Sequence, residues 1–219
     1  MKYAAILFDF DGVLLESEHA GNKQIAEYLT AIGHPTSMQE AMTKFMGLAG
    51  HDFVTAIESH IGRALPESFH DARKEEDRRA LADGLDAVAG AIAFVRGMAP
   101  EWPRAIVSSS RTHWIATHLT HLGIRDAFPA IFSGREHVAR GKPAPDLYLH
   151  AAEALGVDIR RTVILEDSPV GVTGAVASGA HVIGLCAGLH CPPDHGRKLR
   201  ALGAHEIAHG FDQVAELIA

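Results

Sequence analysis

The sequence predicts an α/β fold: a doubly wound, Rossmann-like parallel-sheet core with an inserted α-helical cap domain. Three observations predict it. Short, continuous apolar runs recur along the chain, helical patterns lie between several of them, and a long helix-rich block follows the first run. Continuous apolar runs are typical of strands that are buried on both faces of a parallel sheet. Their alternation with helices is typical of βαβ units.

The core strands are predicted from apolar runs, and the core helices from periodic patterns that end at glycine. The strands are expected at residues 3–8, 104–107, 130–132, 162–165 and 181–185, with a weaker one at 206–208. The helical patterns cover residues 112–122, 146–155 and 170–178. A glycine directly follows each of them, as is common after the last residue of a helix.

The helical insert is expected at residues 16–87, so that residues 1–15 and 88–219 form the core. Its four helical patterns cover residues 18–32, 37–46, 52–61 and 66–83. An insert directly after the first strand predicts a cap over the carboxyl ends of the strands. The charged stretch at residues 74–79 is interpreted as a solvent-exposed helix face with ion pairs along it.

The composition is that of an ordinary globular protein of 219 residues with a net charge of −7. It argues against a disordered or fibrous chain, and the acidic balance argues against nucleic acid and anionic membranes as partners. Two cysteines are too few for a disulfide framework, and neither a signal peptide nor a membrane-spanning segment stands out. We therefore expect a cytoplasmic protein. No feature of the sequence indicates its oligomeric state.

Two acidic pairs follow predicted strands, and together they predict a metal site. Asp9 and Asp11 are two residues apart in an extended segment, so both side chains are expected to face one site. Glu166 and Asp167 follow the strand at 162–165. The carboxyl ends of parallel strands meet at one edge of a sheet, where α/β proteins bind ligands. Carboxylates brought together there repel each other unless a cation lies between them, and oxygen ligands suit Mg²⁺.

Two further features predict an anion site at the same edge. Ser108, Ser109 and Ser110 follow the strand at 104–107 and precede a helix, where hydroxyl and N–H groups bind anions. Lys142 lies in a proline-containing loop and could neutralise a phosphoryl oxygen or hold a carboxylate in position. Taken alone, the serines could simply cap a helix, and the lysine could lie in a surface turn.

In chain order, these segments read FDFDGVLLESE, IVSSS, GKPAPDLY and ILEDSPVGVTGAVASGAHVIGL. The set resembles the haloacid dehalogenase superfamily over nearly the whole chain. The helical insert is similar to the cap of the branch that includes phosphoglycolate phosphatases and β-phosphoglucomutases. This resemblance implies a Mg²⁺-dependent phosphatase that hydrolyses a small phosphorylated metabolite, such as a sugar phosphate, through an aspartyl-phosphate intermediate.

The resemblance also implies roles for the acidic residues. Asp9 would be the nucleophile, and Asp11 would protonate the leaving alkoxide and then activate water. Asp9, Asp167 and the backbone carbonyl of Asp11 would ligate Mg²⁺, with Glu166 in or beside that shell.

The same resemblance places the phosphoryl group against three other residues. Ser108, the backbone N–H of Ser109 and Lys142 would hold it. Phosphoryl transfer requires in-line positioning and charge neutralisation, which a cation, a lysine and fixed donors supply.

Two alternatives to a phosphatase follow from the same motifs. A phosphosugar mutase of this superfamily carries Arg shortly after a cap glycine, whereas residues 47–51 (GLAGH) contain neither Arg nor Lys. This favours water as the phosphoryl acceptor. A non-enzymatic phosphoacceptor receiver domain also uses acidic residues, a hydroxyl and a lysine, but the chain length and the helical insert oppose it. Dehalogenase and phosphonatase activities are disfavoured because those enzymes lack an acid at the position of Asp11.

Two features remain outside this assignment. Glu16 stands where family members usually carry Asp. The spacing of Cys186, His190, Cys191 and His195 superficially resembles that of a metal site, but it lacks a C-x₂-C element, and we interpret these residues as packing or surface-loop residues.

Overall fold

The core of the protein is a six-stranded sheet in a computed structural model that describes residues 2–46, 48 and 50–219. All neighbouring strands are parallel. The strands are β1 (Ala5–Phe8), β2 (Arg104–Ser108), β3 (Ala130–Ser133), β4 (Thr162–Glu166), β5 (His181–Leu185) and β6 (Glu206–Ala208). The α/β class predicted from the sequence is confirmed, and every strand lies within two residues of its predicted bounds.

The strand order is β3-β2-β1-β4-β5-β6, so it reverses between β1 and β4. In open α/β sheets, ligands bind outside the carboxyl ends of the strands at such a reversal. Phe8, the last residue of β1, is in register with Ile106 on one side and Leu165 on the other. The segments that follow β1, β2 and β4 therefore start side by side.

The chain divides into two compact units: residues up to Glu16 together with 86–219, and residues 17–85. The helices of the second unit are α1 (Ser17–Ala31), α2 (Met38–Phe45), α3 (Gly50–Ile61) and α4 (Glu67–Asp83). Leu29, Phe45, Ile57 and Phe69 lie in its own apolar core. The function of this unit as a cap stays a prediction. Gly47 and Ala49, in the segment that disfavours a mutase, lie outside the described residues.

The sheet-containing unit carries the other helices: α5 (Ala91–Gly97), α6 (Thr112–His121), α7 (Asp146–Ala154), α8 (Pro169–Ser178), α9 (His195–Ala201) and α10 (Phe211–Ile218). Every residue of β1, β2 and β4 is buried, as their continuous apolar runs predict. Leu7 and Ile164 of the sheet share a core with Tyr148 of α7 and Val172 of α8. Among the described residues, no helix combines the length and the apolar character that a bilayer span requires.

Candidate active site

The two acidic pairs meet at the point where the strand order reverses. Asp9 follows β1 directly, and its backbone N–H donates to the carbonyl of Leu165 in β4 (2.9 Å). Glu166 ends β4, and Asp167 follows it. Asp9, Glu166 and Asp167 are all buried, and each offers a carboxylate oxygen within 4.8 Å of the others. We call these three residues the acidic cluster.

Lys142 is the cation of the acidic cluster. Its side chain is only 3% exposed, and its Nζ lies 2.8 Å from Asp9 Oδ1 and also contacts Glu166 Oε1. Burial acts to lower the pKa of Lys142, but the two carboxylates outweigh it and raise this pKa above its ordinary value. The lysine is therefore charged at neutral pH, and Asp9 and Glu166 fix its position.

Glu166 is surrounded by hydrogen-bond donors. Its Oε1 accepts from the Tyr148 hydroxyl (2.7 Å) as well as from Lys142, and its Oε2 accepts from Ser168 Oγ (3.1 Å). Gly171 makes room for this arrangement, because a Cβ there would lie 2.0 Å from Glu166 Oε2. These contacts allow Glu166 to hold Lys142 in position, and this role does not require Glu166 to bind a metal.

The acidic cluster carries more negative charge than its lysine neutralises. Burial raises the pKa of Asp9 well above its ordinary value, the negative charge of Glu166 adds to this, and Lys142 only partly opposes it. Buried carboxylates at this separation bind a proton or a cation. Clustered carboxylate oxygens suit a hard divalent cation such as Mg²⁺, so the residues present fit this ion.

The Asp11 carboxylate is held against the segment that follows β2. Its Oδ2 accepts from Ser110 Oγ (2.6 Å) and Ser108 Oγ (3.3 Å), and its Oδ1 accepts from Trp114 Nε1 of α6 (3.2 Å). The expectation that the side chains of Asp9 and Asp11 face one point relies on the alternation of side chains along a strand. Both residues lie after Phe8, the last residue of β1, so this alternation does not extend to them. Ser110 and Trp114 are thus contacts of Asp11 that the sequence alone did not assign.

The serines after β2 differ in exposure. Ser108 is buried, and its Oγ accepts from the backbone N–H of Ser110 (3.0 Å). Ser109 is exposed, and its carbonyl accepts from Arg135 Nε (3.1 Å). Ser108 is the last residue of β2, whereas Lys142 lies in the loop between β3 and α7 and reaches Asp9 with its side chain. Their roles toward a phosphoryl group are proposals.

Two histidines that follow β5 contact Asp167. His190 Nε2 lies 2.8 Å from Asp167 Oδ2, and His195 Nε2 lies 2.5 Å from the Asp167 carbonyl oxygen. Cys191 Sγ lies 3.5 Å from His190 Nε2. Within the part of the chain that the structure describes, the cysteines and histidines of this segment do not form a metal-binding group of their own.

Comparison with known proteins identifies the family. Residues 6–185 match the family described as haloacid dehalogenase-like hydrolase. The chain is 28% identical to 6-phosphogluconate phosphatase of Escherichia coli over 88% of its own length and 86% of that protein. It is 29% identical to the fructose-1-phosphate phosphatase of the same organism, over 83% of this chain and 96% of that one.

A solved structure agrees with this assignment. A haloacid dehalogenase family hydrolase from Deinococcus radiodurans, with bound phosphate and sodium, superposes with a TM-score of 0.87 at 31% identity. The superposition covers 99% of this chain and 95% of that one. The match to the family covers most of the chain, from β1 through β5, and includes every residue of the acidic cluster and Lys142. The chain belongs to the haloacid dehalogenase-like hydrolase family.

Proposed function

We propose that the protein is a Mg²⁺-dependent phosphatase that hydrolyses a small phosphorylated sugar through a phosphorylated Asp9. The single observation that carries the proposal is the buried acidic cluster with Lys142 against Asp9 at the reversal of the strand order. The named relatives that act on 6-phosphogluconate and fructose 1-phosphate support the substrate class. We also propose that residues 17–85 act as a cap and that the enzyme acts on cytoplasmic metabolites.

The first step would be attack of an Asp9 carboxylate oxygen on phosphorus. The bond between phosphorus and the ester oxygen breaks, and Asp11 gives its proton to the departing alkoxide. Lys142, the hydroxyl of Ser108 and the backbone N–H of Ser109 would hold the phosphoryl oxygens. Fixed charges and donors in a buried site stabilise the developing charge without reorganisation.

The second step would release phosphate. Asp11, now ionised, takes a proton from water, the water oxygen attacks phosphorus, and the bond to the Asp9 oxygen breaks. Three donors surround the Asp11 carboxylate, from Ser108, Ser110 and Trp114. We infer that these contacts hold the Asp11 side chain in place between turnovers.

Asp9, Asp167 and the backbone carbonyl of Asp11 would hold Mg²⁺, which when bound supplies charge neutralisation at the phosphoryl oxygens. Glu166 would act beside this site, through Lys142. A solved relative that contains bound phosphate and sodium supports the proposal that this chain binds both an anion and a cation.

The proposal predicts phosphate release that depends on the metal. The metal-free protein, prepared with a chelator, is expected to release no phosphate from 6-phosphogluconate, fructose 1-phosphate or a hexitol phosphate. Added Mg²⁺ is expected to restore repeated turnover on at least one of them. Release that is equally fast in chelator would contradict the metal assignment. A phosphoryl group that stays on the protein would instead indicate a receiver domain, and turnover only with a sugar bisphosphate would indicate a mutase.

A further inference from the structure

The segment after β5 holds both the side chain and the backbone of Asp167. His190 Nε2 contacts the carboxylate at 2.8 Å, and His195 Nε2 contacts the carbonyl oxygen at 2.5 Å. Both rings are almost fully buried, with 5% and 6% exposure. Two imidazoles that lie five residues apart thus fix one residue of the acidic cluster.

The space for the His190 ring is provided by two glycines from different loops. A Cβ on Gly12 would lie 2.9 Å from His190 Cε1 and 2.1 Å from Asp167 Oδ2. A Cβ on Gly188 would lie 2.5 Å from two atoms of the same ring. Because Gly12 and Gly188 both lack side chains, the imidazole has room to contact the carboxylate.

When Asp167 is ionised, as a metal ligand must be, His190 is the donor in this contact. An ionised carboxylate carries no hydrogen, so His190 Nε2 must carry one for a hydrogen bond to form. The imidazole N–H then occupies Oδ2 and orients the carboxylate plane. Hydrogen bonds of this kind to a ligating carboxylate fix its orientation and strengthen metal binding.

Glu16 also anchors this segment. The backbone N–H of Leu189, the residue before His190, donates to both carboxylate oxygens of Glu16, at 3.2 and 3.1 Å. Glu16 is buried, and burial raises the pKa of its carboxyl group. An aspartate at this position would be shorter by one methylene, about 1.5 Å. The added methylene of Glu16 therefore lets its carboxylate reach the backbone N–H of Leu189.

We propose that His190 is a positioning residue that orients the Asp167 carboxylate toward Mg²⁺, and that Glu16 holds His190 in place through Leu189. This inference rests on the proposed Mg²⁺ site. His190 acts through Asp167, and Glu16 acts through the backbone of the His190 segment.

The test measures Mg²⁺ binding to the metal-free protein by calorimetric titration, without substrate. We expect His190→Ala to weaken Mg²⁺ binding by about 10- to 100-fold, the usual effect of removing a partner of a metal ligand. His190→Gln, which can place an N–H close to the position of Nε2, is expected to recover most of the affinity. His209→Ala, which removes an exposed histidine of the same unit, serves as the matched control and is expected to bind like the wild type.

Glu16→Asp provides a second variant that leaves His190 intact. It is expected to weaken Mg²⁺ binding in the same direction, with an unfolding midpoint in chelator close to that of the wild type. If His190→Ala does not fold, the two conservative variants decide the question. Wild-type affinity in His190→Ala, or in Glu16→Asp, would overturn the inference. If the wild type itself binds no Mg²⁺, the proposed metal site is wrong and this inference falls with it.

Discussion

Replacing Asp9 by asparagine is expected to reduce phosphate release by about 10⁴-fold or more, because the amide cannot form the acyl phosphate. The Asp9→Asn variant is expected to be at least as stable as the wild type at neutral pH in chelator. Burial and Glu166 raise the pKa of Asp9, so its ionised form costs stability in the folded state. This stability difference should shrink as the pH falls and Asp9 takes up a proton.

Steady-state phosphate release and denaturant unfolding measure the two effects. Asp77→Asn, on the exposed face of α4, makes the same chemical change away from the acidic cluster. It is expected to change neither phosphate release nor stability. Turnover that survives in Asp9→Asn would contradict the nucleophile assignment. A variant that is inactive and also markedly less stable would show that Asp9 is needed for folding, contrary to the excess of negative charge in the acidic cluster.

Replacing Lys142 by methionine is expected to lower the free energy of unfolding by about 3–5 kcal/mol in chelator and to abolish turnover. The change leaves Asp9 and Glu166 buried without their cation, which is the costly way to break a buried ion pair. Added Mg²⁺ should restore part of the stability, since an ion that binds only the folded state stabilises it.

Two controls separate this charge effect from lost packing. Lys74→Met, at a side chain that is 78% exposed, is expected to change stability by less than about 0.5 kcal/mol. Combining Lys142→Met with Asp9→Asn removes one charge of each sign, so the double variant should be more stable than Lys142→Met alone. Equal stability of Lys142→Met and the wild type in chelator would contradict the role given to this lysine.

The sheet could be predicted from the sequence because its strands are short, continuous apolar runs. β5 and β6 have the predicted bounds, and the other strands differ by one or two residues. Three core helices, α5, α9 and α10, were not predicted from the sequence. They have seven or eight residues each, about two turns, which is too short for a clear helical period.

The meeting of Asp9 with Glu166 and Asp167 could also be predicted, because parallel strands bring their carboxyl ends to one edge. The contacts of Asp11 could not be predicted, since the alternation of side chains along β1 ends with its last residue, Phe8. Trp114 reaches Asp11 from a helix that starts over 100 residues later. Such contacts depend on how α6 packs, and no local pattern encodes it.

The contacts of Asp167 show the same limit. His190 is 23 residues away in the sequence, and its spacing to the cysteines indicated only packing or a surface loop. Nothing in a single sequence indicates that Gly12 and Gly188 leave space for its ring. The Glu16 departure was visible in the sequence, but its contact with Leu189, 173 residues away, is visible only in the structure.

The central claim, covalent catalysis by Asp9, is tested most directly by trapping the intermediate. The wild type is mixed with Mg²⁺ and a phosphorylated sugar that it hydrolyses, then quenched with borohydride, which reduces an acyl phosphate to an alcohol and converts the aspartate to homoserine. Peptide mass spectrometry should find homoserine at position 9, dependent on both substrate and Mg²⁺. Rapid turnover without modification at position 9, or with modification at another carboxylate, would contradict the account.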